Sequence, residues 1–277
     1  MPGAKVKEEH MASFSVVTNI AAVNAQANLY STQIGLNTAL ARVSSGFRIN
    51  SSGDDAAGLA VANSFRSQVA ILTQGVRNAN DGLSDLQIKD GALDNISKLL
   101  DRLAVLATQS ATSSTTDDSR AVLNQEYVDV LAEINREAAV AGLDADTVYS
   151  VFVSNDGADG KVGGTVSAVT TTALAISGTS VSSAGNAEAA LTAVTAAIQT
   201  LGSTQGDVGT LENRLQYAIS LAQSQIVSNK AAESRIRDAN IAEESANLTR
   251  FSILNQSGIA ALSQANQATS AVLALLR

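Results

Sequence analysis

The sequence contains few residues that could carry out chemistry. Among its 277 residues there is one histidine, His10, and no cysteine. One imidazole cannot build a multi-histidine metal site, and without cysteine there is no thiolate nucleophile and no cysteine-ligated zinc. The remaining candidates are three pairs of adjacent acids that could act in acid–base or metal chemistry: Asp54 and Asp55, Asp117 and Asp118, and Glu243 and Glu244.

Each acid pair lies where a helix is predicted to begin or on a solvated helix face. Carboxylates stabilise the N-terminus of a helix because the free N–H groups there carry partial positive charge. Asp54 and Asp55 are therefore expected to cap one helix, and Asp118 or Ser119 the next. We expect no catalytic residue, no cofactor and no metal, and we predict that the protein is not an enzyme.

Two long stretches without charge, residues 11–41 and 251–276, lie near the ends of the chain. Charged residues make up 16% of the sequence, so such stretches need a physical cause. Both place aliphatic and amide side chains at helical spacing, which predicts two amphipathic helices. Their many amides argue against membrane insertion. The net charge of −8 argues against nucleic acid as a partner.

The N-terminal stretch carries two apolar rows with seven-residue spacing, one starting at Ile20 and one at Ala22. Two rows on one helix predict more than one packing partner. We infer that the terminal helices pair with each other and with copies of themselves, although periodicity alone also permits an ordinary helical hairpin inside one monomer. The residues expected to carry the assembly are Ile20, Ala27, Leu29, Ile34, Leu36, Leu248, Phe251, Leu254, Leu262, Leu275 and Leu276.

The longest helical signal covers residues 56–110, with an apolar residue at every seventh position. Its companion row breaks at Asp90 and Gly91 and then resumes one residue out of step. A helix of this length requires other long helices as partners. Glycines at 202–209 predict a turn between two later helices. The residues expected to pack this rod are Phe65, Leu72, Leu86, Leu93, Leu100, Leu211 and Leu215.

The helical pattern is interrupted at residues 146–183, where β-branched residues and glycines replace it. A turn signal at 155–157 predicts a β-hairpin, or a small meander that also includes 173–177. We interpret this segment as a surface insertion. The fold class is therefore mainly α: an elongated antiparallel helical hairpin or coiled-coil rod, with paired N- and C-terminal helices and a small β-hairpin insert at the tip.

Short motifs in both halves of the chain resemble those of bacterial flagellin. The N-terminal half contains SSGFRIN at 44–50 and DDAAG at 54–58, and the C-terminal half contains ANQ at 265–267. The resemblance covers about residues 14–140 and 187–277, in the same order along the chain.

The resemblance implies a structural subunit that self-assembles into the helical flagellar filament used for motility. It implies export through the flagellar channel to the outside of the cell, with an export chaperone and the filament cap and junction proteins as partners. A hook–filament junction protein of the flagellin-like class is the alternative. The implied domains are a leader or extension (1–10), two inner-tube helices (11–46 and 233–277), rod helices (47–145 and 184–232) and the insert (146–183).

Some flagellins carry a surface that the innate immune receptor TLR5 recognises. Arg102, Leu106 and Glu126 agree with the pattern of that surface, whereas Ala104 and Val105 replace an arginine and a glutamate. The resemblance therefore implies weakened recognition.

Overall fold

The computed structural model describes residues 18–154, 157 and 159–275, with side chains as far as residue 267. The expected leader at 1–10, the turn residues Asn155 and Asp156, Leu276 and the side chain of Leu275 lie outside the described residues. A mainly helical fold with one small antiparallel sheet is confirmed. Its elements are α1 (Ile20–Ser45), α2 (Ala56–Ala111), α3 (Asp117–Val140), β1 (Thr147–Phe152), β2 (Lys161–Val166), α4 (Ala184–Arg237) and α5 (Ile241–Leu275).

The described residues divide into two compact units. The terminal unit contains those up to Asn63 together with those from Ala232 onward, and the middle unit is Ser64–Ala231. In the terminal unit α1 packs against α5, which confirms the pairing of the two end helices. Asn19 caps α1 by accepting a hydrogen bond from the Ala22 N–H, and it donates its side-chain amide to the Ala265 carbonyl of α5 at 2.8 Å.

The middle unit is built around one apolar cluster to which α2, α3, α4 and the hairpin contribute. On α2, Leu86, Leu93 and Leu100 are fully buried, and so are Ile96 and Leu103 of the companion row that resumes out of step. Burial of each such side chain stabilises the folded unit by about 1.5–3 kcal/mol. The cluster therefore holds the long helices together along their length.

Helix α3 begins with a different cap from the one predicted. Thr116, and not Asp118 or Ser119, is the N-cap residue, because its hydroxyl accepts a hydrogen bond from the Ser119 N–H. Asp117 and Asp118 occupy the first turn, where their charge is favourable. Hydroxyl and carboxylate caps are nearly equal in strength, so residue type alone did not distinguish them.

The turn predicted at 202–209 is wrong, because α4 is one helix of 54 residues. Its buried row passes through that stretch with Leu201, Thr204 and Val208. A glycine costs a helix about 1 kcal/mol relative to alanine, and burial of the row outweighs this cost because tertiary packing supplies most helical stability.

Strands β1 and β2 form the predicted hairpin, with Tyr149 opposite Gly164 in antiparallel register. Residues 173–177, the further strand of the alternative meander, form turns. The hairpin lies against the middle of α2 and not at the tip. A Cβ built on Gly75 would lie 1.8 Å from the Val153 carbonyl oxygen, and one on Gly82 would lie 2.4 Å from the Tyr149 hydroxyl. The two glycines lie seven residues apart on one face of α2, and they give the hairpin room to approach the helix.

The segment between β2 and α4 is not a surface insertion. Val169, Leu174, Ile176 and Val181 are buried in the core of the middle unit. The Val181 N–H donates to the side chain of Asn124 on α3 at 2.9 Å. Aliphatic residues spaced by turns supply these core contacts, so the segment is part of the packed structure.

Candidate assembly surfaces

Helix α1 uses one of its two apolar rows to contact α5. In the row that begins at Ala22, Leu29 and Leu36 are half-buried. The other row stays uncovered within the described chain: Ile20 is 59% exposed and Ile34 is 51% exposed. We call this second set the outer row, and it consists of Ile20, Ala27, Ile34 and Ala41, all of which are exposed.

Glycines bring α1 and α5 close together. A Cβ on Gly35 would lie 2.6 Å from the ring of Phe251, and one on Gly258 would lie 3.1 Å from Leu29. On the same helix as Phe251, Leu248 and Leu262 are half-buried. Leu254 is different, because it is exposed and lines a groove of about 440 Å³ at the edge of the helix pair.

Amide groups, and not ions, make the polar contacts along most of this pair. Asn255 donates to the side-chain oxygen of Gln33 at 2.7 Å. Among the described side chains of the pair, Arg42 donates to Glu244 at 3.0 Å, an ion pair that lies beyond the uncharged stretches. The pair therefore exposes two kinds of surface, an apolar outer row and strips of neutral amides.

The connectors of the terminal unit bind each other and form what we call the joint, residues 46–50 with 236–239. The Arg48 N–H donates to the Arg237 carbonyl at 2.6 Å, and the Ala239 N–H donates to the Gly46 carbonyl at 2.9 Å. The Arg237 guanidinium lies 4.2 Å from the centre of the Phe47 ring, a cation–π contact. Sequence reasoning identified only a connector here. The signal available was an aromatic residue and arginines in two segments that the paired helices bring together.

The adjacent acids have structural roles. Asp54 accepts hydrogen bonds from the N–H groups of Ser51 and Asn50, and these bonds lower the pKa of its carboxyl. Asp55 caps α2 by accepting from the Gly58 N–H at 2.8 Å. Among residues 18–154, 157 and 159–275, no group of three His, Cys, Asp or Glu side chains could hold a metal ion.

The residues expected to pack the rod lie in the middle unit. Leu72, Leu86, Leu93, Leu100, Leu211 and Leu215 are buried, and Phe65 is half-buried.

The expected receptor patch needs a correction at Leu106. This side chain is fully buried, because it belongs to the apolar cluster of the middle unit. Arg102 and Glu126 are at the surface, where they form an ion pair between α2 and α3. A protein that binds this face of the monomer would therefore meet the ion pair and not Leu106.

In the part of the chain that the structure describes, no helix combines the length and the apolar character that crossing a membrane demands.

Comparison with known proteins gives a consistent result for both halves of the chain. Residues 16–142 match the bacterial flagellin N-terminal helical region, and residues 191–276 match the bacterial flagellin C-terminal helical region. A flagellin of Halalkalibacterium halodurans is 35% identical over 270 residues, which cover 94% of this chain and 98% of the relative. A flagellar filament 33 kDa core protein of Treponema phagedenis is 33% identical over 281 residues, with the same shares of the two chains covered.

Among solved structures, the crystal structure of Bacillus cereus flagellin is 28% identical, covers 52% of this chain and 88% of its own, and has a TM-score of 0.45. The sequence relationships extend over nearly the whole chain and include both terminal helices, the joint and the long helices between them. By these relationships the chain belongs to the bacterial flagellin family.

Proposed function

We propose that the protein is a structural subunit that self-assembles into the helical flagellar filament used for motility. The observation that carries this proposal is the outer row, Ile20, Ala27, Ile34 and Ala41, which is apolar, uncharged and exposed in the single chain. An apolar stripe exposed along a helix pair is unfavourable in water and becomes favourable when another surface covers it. The partner that fits best is a second copy of the same chain.

The contact between copies would join two different surfaces of the subunit. The outer row of α1 and the groove edge at Leu254 of α5 are different surfaces of one subunit. When different surfaces of identical copies bind each other and the rotation does not close, the result is a helical polymer. Covering an isoleucine of the outer row would contribute about 2 kcal/mol.

The inner and outer parts of the filament follow from the distribution of charge. We assign residues 11–46 and 233–277 to the inner tube, where neutral amides can face a water-filled channel and aliphatic side chains can face neighbouring copies. The segments 47–145 and 184–232 would form the rod, together with residues 146–183, whose aliphatic side chains are packed into the same core. The middle of the chain carries most of the charge, which suits contact with bulk water.

The test is polymerisation of purified subunits that are seeded with sheared fragments of filaments of the same protein. We expect long filaments from the natural sequence by negative-stain microscopy and sedimentation. Ile34→Asn should raise the critical concentration about 10- to 100-fold, because the outer row loses apolar area and gains an amide in the contact. The folding of each monomer is checked by circular dichroism.

The matched control is Val122→Asn, because Val122 on α3 is 72% exposed but lies outside the terminal unit. It should polymerise close to the natural critical concentration. Equal effects of Ile34→Asn and Val122→Asn would refute the role of the outer row. Short caps without long filaments from the natural sequence would contradict the filament proposal itself and favour a junction protein.

Further partners follow from the same proposal. The protein would be exported and act outside the cell, an export chaperone would cover α5 before assembly, and cap and junction proteins would contact the filament ends. TLR5 recognition would be weak, because Ala104 and Val105 replace charged residues and Arg102 is already paired with Glu126. A cell reporter that responds as strongly as it does to a potent flagellin would contradict weak recognition.

A further inference from the structure

Helix α4 contains a short stretch of low intrinsic helix stability. Gly202, Gly206 and Gly209 lie within it, and a Cβ on any of them would meet no atom within 4 Å. Alanine would therefore fit at each position and favour the helix about fivefold per site.

The apolar rows of α2 change register at the same level of the middle unit, although the helix itself is continuous. The two apolar rows of α2 fall out of step at Asp90 and Gly91, and a Cβ on Gly91 would also meet nothing within 4 Å. Glu212, one turn beyond Gly209, lies near Asp90. One of its carboxylate oxygens is buried without a hydrogen-bond partner, and burial together with the Asp90 charge raises the Glu212 pKa.

The element that packs against α2 also changes near residues 89–91. Helix α3 ends at Val140, and the hairpin begins its contact with α2 at Gly82. Lys89 ties α2 to the end of α3: it is only 7% exposed, and its ammonium donates to the Ala141 carbonyl at 2.9 Å. The section covered by α3 and the section covered by the hairpin therefore meet at Lys89.

We propose that residues 89–91 of α2 and residues 202–209 of α4 form a flexion point, about which the α3 section and the hairpin section tilt. The tight packing of each section makes it move as a body, while the glycines absorb the change in backbone angles. Lys89 restrains the motion. The flexion is a property of the single chain and does not depend on the proposed assembly.

Hydrogen exchange of the full-length monomer, read by mass spectrometry and corrected for intrinsic rates, tests the proposal. Amides of residues 203–210 should exchange at least about tenfold faster than those of 192–199 and 212–219. Replacing Gly202, Gly206 and Gly209 together with alanine should slow exchange in 203–210 by roughly fivefold per site, about a hundredfold in all.

Two further variants make the result specific. Gly185→Ala is the matched control, because Gly185 lies in the same helix with equally open space and should leave residues 203–210 unchanged. Lys89→Met removes the restraint and should speed exchange at both 203–210 and 138–142. Uniform protection along α4 would overturn the proposal, and so would equal slowing by Gly185→Ala. Because no filament is needed, these outcomes are independent of whether the protein polymerises.

Discussion

Replacing Gly75 with alanine is expected to force the β-hairpin away from α2. The new Cβ would lie 1.8 Å from the Val153 carbonyl oxygen. To reach even 3.0 Å, the helix and the strand end must separate by 3.0 − 1.8 = 1.2 Å. The obstructing atom belongs to the backbone, and the Val153 N–H is itself bonded to the Gly160 carbonyl at 2.8 Å, so no side-chain rotation can relieve the contact.

The magnitude combines two opposing effects. Overfilling a packed contact costs about 1–3 kcal/mol. The cost here should be about 3 kcal/mol, because the obstructing atom belongs to the backbone and cannot move aside. Alanine returns about 1 kcal/mol because it favours the helix. The net loss is therefore about 2 kcal/mol in the free energy of unfolding of the middle unit. For a unit of this size the loss corresponds to a Tm lower by about 4–8 °C.

Thermal and urea unfolding of the full chain, followed by circular dichroism, measures this loss. Gly91→Ala is the matched control because it makes the same change in the same helix, where a Cβ meets nothing within 4 Å. It should raise the free energy of unfolding by about 1 kcal/mol. If Gly75→Ala stabilises the unit as Gly91→Ala does, the close packing of the hairpin on α2 is refuted.

Three other changes test separate features. Arg120→Met should lower the free energy of unfolding by about 3 kcal/mol. The reason is that this side chain is only 9% exposed and donates hydrogen bonds to two backbone carbonyls at the end of α2. Urea unfolding that is the same as for the natural chain would contradict this role of Arg120. Glu212→Gln should stabilise the middle unit by at most about 1 kcal/mol at pH 7. Burial and the neighbouring Asp90 charge raise the pKa of Glu212 in the folded chain, so the cost of ionising this carboxyl grows as pH rises above the unfolded value of 4.5. A gain that persists at pH 3 would argue against this cause. The hydrogen bonds to Asp54 lower its pKa in the folded chain, so the stabilisation they give is present above the unfolded value of 3.8 and is lost as pH falls below it. Asp54→Asn should therefore reduce the loss of unfolding free energy at acid pH. An unchanged dependence on pH would count against the Ser51 hydrogen bonds.

Long apolar rows made most of the helical architecture predictable. The signal for 56–110 lies within one residue of α2, because the same spacing recurs over many turns and only a long helix satisfies it. The out-of-step row predicted burial of Ile96 and Leu103 in the same way. The two rows of α1 predicted more than one packing partner, and the structure shows one of the rows against α5.

Local signals were less informative where distant contacts decide the structure. The glycines of 202–209 resemble a turn, and only the buried row on the other side of α4 shows that the helix continues. The position of the hairpin depends on Gly75 and Gly82, which look unremarkable in a helical pattern. The contact between Arg237 and Phe47 joins residues far apart in the sequence, so no local pattern could reveal it.

The amide-lined pairing of α1 with α5 has a consequence for where such a fibre can operate. Within this pair, residues 20–41 of α1 and 251–275 of α5 contain no charged side chain. Contacts between them contain no ion pair for dissolved ions to screen. Dissolved salt would therefore not weaken contacts made by these stretches through screening, and anions such as sulfate would strengthen the apolar ones, so this part of the fibre should tolerate brine as well as fresh water.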